Sequence, residues 1–246
     1  MKSLLRNKSF LIGGVIVIIL ILIAIFAPFI APYDPVKDAN LMVALESPGG
    51  KFLMGTDPYG RDMLSRVIYG ARISLMLGLI AQGINSLIGV TLGLCAGYFG
   101  GKIDDCITAL TNIMLSMPAL ILALTIMVVL GPGIFNLFIA LGLVNWTYTC
   151  RVTRAETLYI KEKQFTEAAR ALGCSTFKIM TKYILPNILG PIVVIATLGV
   201  GAAILMAATL GFLGLGAQPP TPEWGAMLSR GRDYIWSAPR VCVFPG

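Results

Sequence analysis

FLIGGVIVIILILIAIFAPFI, Phe10 to Ile30, carries no charged side chain. Coiled as an α-helix, the run would extend about 31 Å, enough to cross a hydrocarbon core of about 30 Å. Lys2, Arg6 and Lys8 stand just before it. A secretory signal has the same basic start, but its apolar part is shorter and ends at a small-residue cleavage site. The run is therefore read as a retained anchor.

The rest of the chain repeats the pattern. Of 246 residues, 57% are hydrophobic and 13% charged, and the mean hydropathy is +0.83, far outside the range of soluble domains. Apolar runs follow at Ile73 to Phe99, Ile107 to Leu130, Ile134 to Cys150 and Ile188 to Leu215, the middle two parted by Gly131, Pro132 and Gly133. The expected fold is all-α, a polytopic membrane helical bundle of five spans. With the amino terminus in the cytoplasm, segments 1–9, 100–106 and 151–187 lie inside and hold a clear excess of Lys and Arg, while charges outside nearly balance. This is the orientation the positive-inside rule requires.

Several functions are excluded or disfavoured. The formal charge of +7 is dispersed among apolar runs without the aromatic-interleaved stripe of a nucleic-acid surface. Five scattered cysteines and no histidine give neither a zinc pattern nor a disulfide framework, so no metal or cofactor is expected. Gly100, Gly101 and Lys102 are followed by Ile103, which is no phosphate-binding loop, and no hydrolytic constellation can be written. The expected spans contain no Asp, Glu, Lys or Arg, which removes the ionisable groups by which ion-driven carriers couple. A transporter built this way needs an external motor. Gly89, Gly93, Gly97 and Gly101 recur every fourth residue, marking a face for close helix packing, within the chain rather than against a second subunit.

One stretch breaks the apolar pattern. EAARALGCSTFKIMTKYILPN, Glu167 to Asn187, is charged and amphipathic. Leu158, Tyr159, Phe165, Ala168, Ala169 and Leu172 recur at helical spacing. Thr166 can cap a helix with Glu167 set against its dipole, and Gly173 can stop it in a left-handed turn. Ser175 can cap a second helix with Phe177, Met180 and Ile184 as its stripe, ended by Leu185 and Pro186. Helices this short need a surface to dock on: either a partner protein or anionic lipid, which the net basic charge also suits.

The segment resembles the EAA motif of permease subunits of bacterial ABC importers, at Glu167, Ala168, Ala169, Gly173, Ile184, Leu185 and Pro186. MGTDPYGRDMLSRVIYGARISL (Met54 to Leu75), GPGIFNLFIALGL (Gly131 to Leu143) and LGFLGLGAQPPTPEWGAMLSRGRDYI (Leu210 to Ile235) extend the likeness over nearly the whole chain. They are similar to the second permease of the branch importing dipeptides, oligopeptides or nickel. The resemblance implies a multi-pass protein of the bacterial plasma (inner) membrane. Its implied partners are membrane lipid, a homologous second permease, two ABC ATPase subunits that hydrolyse the ATP, and an extracytoplasmic substrate-binding protein. The chain itself would be a non-enzymatic subunit. Glu167, Ala168, Ala169, Gly173, Leu185 and Pro186 would form the ATPase-coupling core.

Two domains are expected: residues 1–72, an anchor with an external amphipathic segment, and 73–246, the permease domain with its cytoplasmic coupling loop at 151–187. Gly55 to Arg72 suits a helix at the outer interface, with Arg61 and Arg66 as candidates for docking the binding protein. Trp224, Tyr234 and Trp236 suit a membrane surface beside the proline-rich Gln218 to Glu223. Relatives have a sixth span that begins at a Phe-Pro-Gly, where this chain ends at Gly246, so truncation at the carboxyl end is expected. The competing reading is a membrane scaffold that recruits a cytoplasmic partner without transporting. Cargo is not specified, since the chain shows no dedicated carboxylate or metal site.

Overall fold

A computed structural model describes residues 8–246, so Lys2 and Arg6 of the basic start lie outside the described residues. Regular structure among the described residues is helical, with one isolated bridge between Thr56 and Asp62. Helix α1 (Lys8–Ile30) presents most of its described side chains outward, with Ala24 and Ala27 buried, as lipid contact requires.

Helix α2 (Met63–Phe99) has 37 residues, about 55 Å, longer than a bilayer core is thick. The separate interfacial helix expected up to Arg72 is therefore its first turns. Asp62 caps it, its Oδ2 accepting from the Ser65 backbone N–H at 2.7 Å and the Ser65 hydroxyl at 2.6 Å. No proline follows to break the helix before Phe99.

Helices α3 (Gly101–Leu115) and α4 (Ala119–Leu130) meet at 88°, dividing the expected span Ile107 to Leu130. Pro118 is the cause. It has no N–H and disfavours helical geometry in the residue before it, and its own ψ of 129° is extended. The expected span Ile134 to Cys150 is likewise divided at Asn145 into α5 (Ile134–Val144) and α6 (Trp146–Lys161). After α7 (Gln164–Ala171), α8 (Thr176–Lys178) passes through a π-helical stretch, Ile179–Ile184, into α9 (Leu185–Phe212). Short helices α10 (Trp224–Gly231) and α11 (Arg240–Val243) close the chain.

By length and composition, Leu11–Ile30, Met63–Phe99 and Thr176–Phe212 can each cross a membrane, with a fourth crossing if the bent α3–α4 pair is one span. Five were expected; among the described residues the two breaks, at Pro118 and Asn145, account for the difference.

The backbone forms two compact units, one of the segments up to Leu77, Pro132–Ile134 and Ala207–Gly246, the other of Gly78–Gly131 and Phe135–Met206. Within the second, α2 and α6 close like a zipper. A Cβ on Gly89, Gly93 or Gly97 would lie 2.6, 2.7 and 2.7 Å from the Cβ of Thr149, Thr153 and Thr157 respectively. Only glycine permits that approach. Gly101 leaves the series: it sits at the start of α3 with φ of 51° and open space around it.

Candidate coupling site

Helix α7 is tied to α6 from inside. Its N-cap is Lys163, in extended geometry. Thr166, expected to be the cap, lies fully buried within the helix, donating from Oγ1 to the Ile160 carbonyl at 2.9 Å. Glu167 falls in the first turn, where a carboxylate is favoured by the helix dipole.

The helix ends as its sequence suggests. Gly173 has φ of 75°. Its N–H donates to the Arg170 carbonyl at 3.0 Å, and the Cys174 N–H donates to the Ala169 carbonyl at 3.1 Å. These are the two bonds of a Schellman stop, which needs a residue at ease in the left-handed region. A Cβ on Gly173 would meet nothing within 4 Å, so its constraint is conformational.

Ser175 precedes α8 in extended geometry, but its side chain makes no capping bond. Leu185 and Pro186 open α9 rather than ending a helix. The reason is the π-helical stretch, where the Leu185 N–H reaches back to the Met180 carbonyl. That wider turn accommodates a proline that cannot donate. Asn187 Nδ2 donates to the Tyr183 carbonyl at 2.6 Å.

The π turn also rotates the apolar face. Ile179 and Ile184, five residues apart, are buried with Ile188, Ile192, Ala169 and Leu94; of the expected stripe, Ile184 thus lies in the cluster, Met180 packs against it and Phe177 stands outside it. Phe177 is left 77% exposed, and Leu172, beside the glycine stop, 84% exposed. Of the stripe expected on α6 and α7, Ala169 is buried, whereas Leu158, Tyr159, Phe165 and Leu172 are exposed, and Thr157 and Thr166 take the other buried places.

The expected coupling residues thus separate. Glu167, Ala168 and Gly173 lie on the surface, Ala169 lies in the core, Leu185 is half-buried and Pro186 is exposed. Leu172 and Phe177, both on the stripes read from helical spacing, stand exposed, one on each side of the Gly173 stop.

The other candidates, Arg61 and Arg66, are 5% and 1% exposed. Asp57 gathers them. Its Oδ2 accepts from Arg61 Nε at 2.8 Å and lies 3.4 Å from Arg66 Nε, while its Oδ1 accepts from the Tyr59 and Arg61 backbone N–H groups. Arg66 Nη1 also donates to the carbonyls of Pro35 at 2.7 Å and Pro220 at 3.2 Å. These guanidinium groups join three chain segments internally, which leaves them no free surface for a docking protein. Trp224 is also used internally, its indole donating to the Val67 carbonyl at 3.1 Å against Gly70, so that of the three expected surface aromatics Trp236 is the fully exposed one.

Residues 89–243 match the family described as the binding-protein-dependent transport system inner membrane component. The chain belongs to that family. The permease also matches, over residues 1–48, the N-terminal TM domain of oligopeptide transport permease C. It is 45% identical to the dipeptide transport system permease protein DppC of Alkalihalophilus pseudofirmus, over 100% of this chain and 80% of the relative. It is 43% identical to the di/tripeptide transport system permease protein DppC of Pseudomonas aeruginosa, over 100% of this chain and 82% of the relative. In fold it is similar to a chain of the MetNI methionine ABC transporter in an inward-facing form, with a TM-score of 0.61 and 22% identity over 74% of this permease and 87% of that chain. The protein is a multi-pass inner-membrane permease, and the matched family region takes in the glycine zipper and the whole of α6 to α9.

Proposed function

We propose that this permease is the transmembrane subunit of an ATP-driven importer of di- or oligopeptides, working as a non-enzymatic pathway moved by partner ATPases. It would pair with a homologous permease, two ABC ATPases and an extracytoplasmic binding protein, with its amino terminus and the 151–187 segment in the cytoplasm. Residues 1–72 would serve as anchor and external segment, and 73–246 as the permease domain. The peptide cargo is supported by the dipeptide permeases it resembles throughout its length.

The observation that carries the coupling role is the tip of α7. Large apolar side chains at Leu172 and Phe177 stand exposed on either side of a Schellman stop, and Glu167 and Ala168 are exposed on α7. Exposed apolar anchors on a rigid, capped element suit insertion into a groove of another protein. Ala169, packed on Ile179 and Ile184, would hold the tip to the rest of its unit, so that a push on α7 moves its neighbours as a body. Leu185 and Pro186 would act from behind, at the π-helical joint.

Gly173→Asp and Ala168→Phe test the assignment by co-purification with the ATPase. The expected result is loss of the ATPase from a permease that still inserts in the membrane. Undiminished peptide uptake in both variants would refute it.

A further inference from the structure

Helix α6 connects to α7 through Glu162 and Lys163, so movement of the coupling tip reaches α6 as well as the π-helical stretch on which Ala169 packs. One side of α6 is zipped to α2 by the glycine and threonine series. From there α6 also reaches α3. Arg154 sets Nε against Oδ1 and Nη2 against Oδ2 of Asp104, the second contact at 2.5 Å. One turn earlier, Arg151 Nη2 donates to Asn112 Oδ1 at 2.7 Å. Thr108 Oγ1 donates to Asp104 Oδ1 at 3.2 Å, steadying the carboxylate from its own helix.

We propose that the Asp104–Arg154 pair is a positioning contact that carries coupling movement from α6 to α3, and so to the bent α3–α4 pair. A forked guanidinium on a carboxylate fixes angle as well as distance, which a single hydrogen bond or a lysine does not. The Asp104 side chain is only 15% exposed and Arg154 35%, so the contact is partly sheltered from screening. Van der Waals packing alone would let α6 slide along α3. The fork and the Arg151–Asn112 bond resist sliding at two levels. The inference rests on the coupling role proposed for α7, and it adds the path by which movement leaves that helix.

The test uses the complete transporter in proteoliposomes, reading ATPase association and peptide imported per ATP hydrolysed. Asp104→Asn, Arg154→Lys and the exchange Asp104→Arg with Arg154→Asp are compared with Ala168→Phe. The expected result for the two single variants is retained association with import per ATP reduced about tenfold, and partial recovery in the exchange. Ala168→Phe should lose association itself. If Ala168→Phe keeps the ATPase, the coupling role of α7 fails. If it loses the ATPase while both single pair variants import at the wild-type ratio, the positioning role alone fails. Loss of assembly in every single pair variant would also overturn it, since the pair would then be a folding contact.

Discussion

Gly93 lies so close to Thr153 that a Cβ on the glycine would stand 2.7 Å from the threonine Cβ, and 2.6 Å from the Cys150 carbonyl. The approaching atoms include backbone, which cannot swing aside. Gly93→Ala should therefore cost about 1–3 kcal/mol by overpacking. Gly83, on the same helix, has nothing within 4 Å of a Cβ, and Gly83→Ala should be neutral or stabilising by up to about 1 kcal/mol through helix propensity. Thermal unfolding of the two variants in detergent checks the contrast.

Asp57 is the carboxylate on which Arg61 and Arg66 converge. Removing one member of a buried charge network leaves the others uncompensated, typically at a cost of about 3–5 kcal/mol. Asp57→Ala should thus destabilise more than Arg232→Ala, whose ion pair with Asp233 is exposed and worth about 0–1 kcal/mol. Melting temperatures measured side by side should rank the variants in that order. Wild-type stability for Asp57→Ala would contradict the structural role given to the two arginines.

Glu223 caps α10 from a buried position, accepting from the Gly225 and Ala226 N–H groups, each at 2.8 Å. Burial raises its carboxyl above the ordinary 4.5, and those two N–H groups oppose the rise without cancelling it. The folded chain therefore keeps this proton at pH values where the unfolded chain has lost it. Its contribution to stability falls as pH rises from about 4.5 through the higher folded value, then levels off. Glu223→Gln keeps an acceptor for the cap and should lose that downward slope, while Glu223→Ala should cost about 1 kcal/mol through the lost cap. Melting curves from acid to neutral pH, wild type against Glu223→Gln, read the difference.

Much of this architecture was legible because it rests on chemistry local to the sequence. Phe10 to Ile30 could only be an apolar helix, Gly173 could take a left-handed stop, and glycines at 89, 93 and 97 could let another helix approach. The misreadings have a common cause. Periodicity assumes an unbroken α-helix, and Pro118 breaks one expected span while the π-helical turns at Ile179–Ile184 rotate another helix's face. Pro118 was visible and should have counted as a breaker. The π turn has no comparable local signature, so the five-residue spacing that buries Ile179 together with Ile184 is not legible from periodicity, while Phe177 of the expected docking stripe stands exposed. Arg66 reads as a surface residue because two of its partners, Pro35 and Pro220, are remote in sequence, and Arg61, held by nearby Asp57, is buried in the same network.

The account turns on the α7 tip meeting an ATPase, and a photo-crosslinking residue placed at Leu172 in the assembled transporter addresses that contact directly. It should capture the ATPase subunit, while the same residue at Trp236, exposed near the other end of the chain, should not. Capture of lipid alone at Leu172, in a transporter still importing peptide at the expense of ATP, would contradict it.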